Sequence, residues 1–156
     1  MTAKPIPDGY TSITPYLTVD DGKGAIDFYK RAFGAVEREL LETPDGKVGH
    51  TSMQIGDARI MLCDAYPEFV GRPPTEVGAT TVTIFLYVED VDAVVRSATE
   101  AGATTLIEPE DQFWGDRMGQ VQDPFGHVWL VATQVEELAP EEIRARGQKV
   151  AAEMTG

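Results

Sequence analysis

Apolar and polar positions follow the same order twice along this chain. Residues 13–19 (ITPYLTV) alternate with a period of two, and then Ala25, Ile26, Phe28, Tyr29, Ala32 and Phe33 recur at helical spacing. The pattern predicts a strand followed by a helix, with Asp20 or Asp21 as its N-cap and Gly34 just past its C-terminus. Strands are predicted over 36–43, 47–55 and 58–63, divided by the turns Pro44-Asp45-Gly46 and Gly56-Asp57. After a connection over 64–79, rich in proline (Pro67, Pro73, Pro74), the order returns. A strand at 81–88 leads to a helix capped by Asp90, with Val91, Val94, Val95, Ala98 and Ala101 on one face and Gly102 at its end. Strands over 104–108, 117–122 and 127–133 complete the second unit.

The two units keep a common register. Val19-Asp20-Asp21 answers to Val88-Glu89-Asp90, and Ile60-Met61-Leu62 to Trp129-Leu130-Val131, both at an offset of 69 residues. One four-stranded unit with one helix cannot bury both faces of its sheet, whereas two side by side can enclose an interior. The expected fold is therefore α+β: two tandem βαβββ modules forming a curved, barrel-like mixed sheet around a pocket, plus a C-terminal helix. The expected boundaries are an N-terminal arm at 1–12, a first module at 13–63, a linker at 64–79, a second module at 80–135 and a helical tail at 136–156. In that tail Pro140 suits the first helical position, Glu141 and Glu142 suit the positive end of the dipole, and Ile143, Val150 and Met154 share a face able to dock on the domain or on a second subunit.

Composition narrows the partners. The net charge of −13 argues against nucleic acid and anionic membranes, which need clustered Lys and Arg. The one cysteine, Cys63, makes no disulfide framework, and no apolar run has the length of a signal peptide or a membrane span, so a cytoplasmic protein is expected.

Strand parity selects the candidate chemistry. With Ile13, Leu17 and Val19 facing the helix, Tyr16 and Thr18 face inward, as do His50, Ser52 and Gln54 on the third strand and Arg59, Met61 and Cys63 on the fourth. The second module contributes Thr81, Thr83, Phe85 and Tyr87. Such a lining of rings, hydroxyls, an amide, an imidazole and a guanidinium has the composition of a small-molecule site. His50 is either a base or ligand, or a hydrogen-bonded hairpin histidine. His127 reads as structural and Cys63 as a small core residue. Arg59, if inward, requires a carboxylate or an anionic ligand. The loop Phe113-Trp114-Gly115-Asp116-Arg117 either plugs the barrel or rims the site, with Trp114 stacking on a ligand and Arg117 either paired to Asp116 or gripping an anion. The expected ligand-binding set is Tyr16, His50, Ser52, Gln54, Arg59, Thr83, Phe85, Tyr87, Trp114 and Arg117.

Two βαβββ units with the segment FWGDRMG…DPFGH resemble the vicinal oxygen chelate superfamily of glyoxalase I, bleomycin-resistance proteins and extradiol dioxygenases. The stretches IPDGYTSITPYLTVDDGKGAIDFYKRAFGA and LYVEDVDAVVRSATEAGA resemble its PhnB-like branch. The resemblance implies four metal-ligand positions, which fall here on Thr14, Met61, Thr83 and Leu130. Those side chains do not make a divalent-metal site. The expectation is a protein that binds a small organic ligand between its modules without a metal, as a homodimer, with catalysis left open. The alternative is a metal-dependent lyase, isomerase or dioxygenase whose metal has moved, for example to His50 with Glu42 or Glu108 nearby. A structural or regulatory dimer is a third possibility.

Overall fold

A computed structural model describes residues 2–66, 68 and 71–156. Met1 of the arm and Pro67, Phe69 and Val70 of the linker lie outside the described residues. The first module comprises β1 (Tyr16–Val19), α1 (Gly22–Phe33), β2 (Val36–Glu42), β3 (Val48–Ile55) and β4 (Ala58–Asp64). A short helix, α2 (Pro74–Val77), lies in the linker, where no helix is predicted from sequence. The second module comprises β5 (Thr83–Tyr87), α3 (Val91–Glu100), β6 (Thr104–Asp111), β7 (Asp116–Gln122) and β8 (Val128–Gln134), and α4 (Pro140–Met154) ends the chain.

Each module folds into its own four-stranded mixed sheet, in the orders β1-β4-β3-β2 and β5-β8-β7-β6. The repeat survives in the register: Tyr16 pairs with Met61, and Phe85 with Leu130, each 69 residues further on. It extends to the approach segments, where the Thr11 hydroxyl donates to the Ile13 carbonyl and the Thr80 hydroxyl to the Val82 carbonyl. The two helices start alike. The Asp21 carboxylate accepts from the Gly24 N–H and the Asp90 carboxylate from the Ala93 N–H, caps worth about 1 kcal/mol each. Gly22 opens α1 against β4. A Cβ there would lie 2.6 Å from both Asp64 Oδ2 and Val48 Cβ, so the helix can approach the sheet this closely only with glycine.

A single core joins the modules. Leu17, Val19, Met53, Ile60 and Leu62 from the first sheet and Val121, Trp129 and Val131 from the second share one cluster with α1 and α3. At its centre Tyr29 and Phe33 of α1 pack on Trp129 of β8, with ring centroids 5.4 and 4.6 Å away. The opposite face of each sheet is open. Tyr16 and Phe85, at equivalent places, are both 44% exposed, so the two open faces do not cover one another.

The Asp-Pro-Phe-Gly turn between β7 and β8 locks this core. Asp123 is buried, and its Oδ1 accepts from the N–H groups of Phe125 and His127. Its Oδ2 accepts from the Tyr29 hydroxyl and from the Trp129 indole N–H at 3.0 Å. Burial first, and the Asp123 charge second, hold the Tyr29 phenol well above its ordinary pKa. His127 donates from Nε2 to the Thr18 carbonyl at 2.9 Å, tying the same turn to the edge of β1.

Candidate functional site

The open face of the first sheet is organised in cross-strand rows. One row runs Glu39–Ser52–Met61–Tyr16 across β2, β3, β4 and β1. On the flanking rows lie Leu41 and His50, Thr18 and Cys63, and Gln54 and Arg59. This alternation turns Thr51, Met53, Ile60 and Leu62 towards the helix side and the polar set to the other face, where Ser52 and Cys63 are also buried.

Within that set, Tyr16, His50 and Glu39 form a chain. The Tyr16 hydroxyl lies 2.9 Å from His50 Nδ1, and Glu39 Oε2 lies 4.0 Å from His50 Nε2. Partial burial, together with the neighbouring Cys63 thiol, pushes the Tyr16 phenol up to about 12, so it is a neutral donor at physiological pH. The carboxylate beside His50 is therefore Glu39, not Glu42, which pairs with Lys23, and not Glu108. Ser52 is fully buried, and its hydroxyl has no hydrogen-bond partner among the described residues. Gln54 accepts from Arg59 Nε at 3.1 Å. Cys63 is buried, and burial raises its thiol pKa, which suits a packing role better than a nucleophilic one.

The open face of the second sheet carries Thr83, Phe85 and Tyr87 on β5, with Leu130 of β8 opposite Phe85 and Gln120 of β7 beside Leu130. At its far end Asp116, only 3% exposed, accepts from the Tyr87 hydroxyl at 2.9 Å and the Trp114 indole N–H at 3.0 Å. Arg117 points the other way, towards α3. It is paired in a fork to Asp92 at 2.7 and 3.0 Å and to Asp111 at 3.1 Å, so Asp116 is not its partner. The fork holds the Asp92 carboxyl below its ordinary pKa. Phe113 packs under α4, where a Cβ on Gly147 would come within 3.1 Å of its ring.

Tyr16, Thr83 and Phe85 meet in one cleft of about 720 Å³ between β1 and β5, which Thr18, Val77 and His127 also line. His50, Ser52, Gln54 and Arg59 sit further along the first sheet. Tyr87 and Trp114 converge on Asp116, and Arg117 stands apart from all of them. Of the metal positions implied by the resemblance, Met61, Thr83 and Leu130 are on the open faces and Thr14 precedes β1. A thioether, an alkyl group and two hydroxyls do not fit a divalent cation. Among the described residues no three His, Cys, Asp or Glu side chains cluster closely enough to hold one elsewhere, and no helix is long and apolar enough to cross a membrane.

Comparisons with known proteins bear on this geometry. The family model described as the Glyoxalase/Bleomycin resistance protein/Dioxygenase superfamily matches residues 10–131. An uncharacterised protein of Mycobacterium bovis is 47% identical over 137 residues, covering 86% of this chain and 90% of that one. Among solved structures, TioX from Micromonospora is 26% identical with a TM-score of 0.65, over 80% of this chain and 98% of its own. The fold is also that of a Bacillus cereus PhnB protein described as a putative 3-demethylubiquinone-9 3-methyltransferase, at 14% identity and a TM-score of 0.59, over 79% of this chain and 99% of its own.

Proposed function

The chain belongs to the Glyoxalase/Bleomycin resistance protein/Dioxygenase superfamily, and from that premise we propose that it binds a small organic ligand in the cleft between its modules without a divalent metal, as a homodimer. The observation that carries this reading is the 720 Å³ cleft, in which Tyr16, Thr83 and Phe85 offer two rings and two hydroxyls from both modules. A cavity of that size with apolar walls and a few orienting polar groups suits a small molecule. The homodimer is supported by Ile13 and Val82, 84% and 68% exposed at repeat-equivalent positions, which flank the open edges of β1 and β5. A second copy laid across these edges would cover both at once.

The test is a thermal-shift screen with Zn²⁺, Ni²⁺, Co²⁺, Mn²⁺, Fe²⁺ and Mg²⁺ and with small aromatic and anionic compounds, alongside elemental analysis. A compound present at 100 times its Kd should add about 2.7 kcal/mol of stability, and the metals should add none. Stoichiometric metal in the purified protein would sink the metal-free reading. Sedimentation should give a dimer, which I13D combined with V82D should dissociate; a monomeric native protein would remove the homodimer.

A second reading, an enzyme that moves a proton without a metal, is favoured by the Tyr16–His50–Glu39 chain. With the proton on Nε2, His50 Nδ1 accepts from Tyr16, and Glu39 stabilises any positive charge the ring gains. The check is exchange of acidic C–H protons of a screened ligand into D₂O. If native protein accelerates it and H50A binds the ligand but does not, the enzyme reading stands.

A further inference from the structure

His127 reads from sequence as structural, and one of its two ring nitrogens is. Nε2 donates to the Thr18 carbonyl at 2.9 Å and ties the turn before β8 to β1. A carbonyl can only accept, so Nε2 carries the proton, and in the neutral ring Nδ1 is an acceptor. Among the described residues no group donates to Nδ1, and the Thr18 hydroxyl has no partner either. The buried side-chain atoms without a partner are, among those residues, the Ser52 and Tyr66 hydroxyls, so Nδ1 and the Thr18 hydroxyl are open to solvent. Both residues line the cleft of about 720 Å³ between β1 and β5.

The fold does not require this histidine. The place 69 residues earlier, where β4 begins, is held by Ala58, whose methyl group makes no hydrogen bond to β5. The junction between the modules therefore carries an imidazole acceptor at one end only. Beside it, on the residue whose carbonyl the ring already holds, is a hydroxyl able to donate. The rings of Tyr16 and Phe85, half-exposed and contributed by the two modules, line the same cleft. Charge offers little there. Among the described residues no carboxylate lines the cleft, and the Arg72 guanidinium at its rim is paired to Glu76 at 2.7 Å.

We propose that the cleft takes an uncharged aromatic compound bearing a ring hydroxyl, which donates to His127 Nδ1 and accepts from the Thr18 hydroxyl, with its ring against Tyr16 and Phe85. A hydroxyl both donates and accepts, so it satisfies the pair; an ether or a carbonyl oxygen leaves Nδ1 bare. This rests on the ligand-binding reading and adds to it the chemical class of the ligand and a residue that selects it.

The test compares p-cresol with its methyl ether by titration into ¹⁵N-labelled protein. In the free protein Nε2 should carry the proton and Nδ1 none. Binding of p-cresol should move the Nδ1 signal and the amide signals of Thr18 and Phe85, and the ether should bind at least about tenfold more weakly, since it leaves the acceptor unsatisfied. H127A, which copies Ala58, should bring the two affinities within about twofold of one another, and T18V should weaken p-cresol by about threefold and the ether hardly at all. T18V keeps the carbonyl that His127 holds, so it tests the site even where H127A disturbs the turn. A proton on Nδ1 in the free protein overturns the proposal, as does p-cresol binding that leaves Nδ1 unmoved. Equal affinity for phenol and ether overturns the hydroxyl assignment while leaving the ligand-binding reading intact. No binding of either probe in the cleft overturns it as well, and the thermal screen then decides the broader reading separately.

Discussion

In the first module the turn between β2 and β3, Thr43-Pro44-Asp45-Gly46-Lys47, is an exposed surface hairpin. In the second, the turn at the same place is Gln112-Phe113-Trp114-Gly115-Asp116. The backbones agree: Gly46 and Gly115 both have positive φ, and the N–H of each turn's first residue donates to the carbonyl of its last. The side chains do not. Asp116 is buried under Trp114 and Tyr87, Phe113 is under α4, and a Cβ on Gly115 would sit 2.4 Å from the Glu136 carbonyl oxygen. The contrast runs through both modules. In the second, two buried aspartates, Asp116 and Asp123, each receive a tyrosine hydroxyl and an indole N–H, so the polar groups there are spent on holding the fold. In the first, buried Asp64 likewise accepts from the N–H groups of Gly22 and Val48, but among the described residues Ser52 has no hydrogen-bond partner and Arg59 no acid, and His50 hydrogen-bonds to Tyr16 with Glu39 4.0 Å away. The repeat thus sets fully paired side chains beside unpaired ones in one chain.

Substitutions can break that separation. D123A should lose the most stability, at least about 3 kcal/mol in urea unfolding, because four donors are stranded in or beside the core. D116A should lose about 2 kcal/mol, since it strands two donors. Y29F should cost about 1 kcal/mol at neutral pH and also change the pH profile. The folded-state pKa of Tyr29 is raised, so the unfolded chain gives up this proton first. Native stability should therefore fall as pH rises past about 10, and Y29F should flatten that fall. S52A should change stability by less than about 0.5 kcal/mol, or raise it, because it removes an unsatisfied hydroxyl. A large loss in S52A, or none in D123A, would contradict the division between the modules.

Much of this architecture was legible in the sequence because it is periodic. The Asp21 and Asp90 caps, the Gly34 terminus, the alternation along β3 and β4 and the 69-residue repeat all depend on local spacing, and the structure keeps them. The partner of His50 was not legible. Register shifts between Glu37 and Glu39 and between Leu41 and Glu42 interrupt the alternation on β2, whose residues are nearly all exposed, so parity points to no one carboxylate there. The direction of Arg117 was hidden too, because its partner Asp92 is 25 residues away on another element. The N-terminal arm carries no hydrophobic period at all, and only a tertiary contact, the Tyr10 ring 4.7 Å from the Arg59 guanidinium carbon, reveals where it lies. Separation into two sheets with open faces is likewise set by long-range packing of α1 on the second module, which no local pattern records.

The bond from Tyr29 to Asp123 has a further consequence during synthesis. The two residues are 94 positions apart, and Phe33 on the same helix waits for Trp129. A ribosome emits α1 well before the groups that bury its aromatic face. The first module must therefore wait on the nascent chain with the Tyr29 and Phe33 rings uncovered until the second module's β8 arrives.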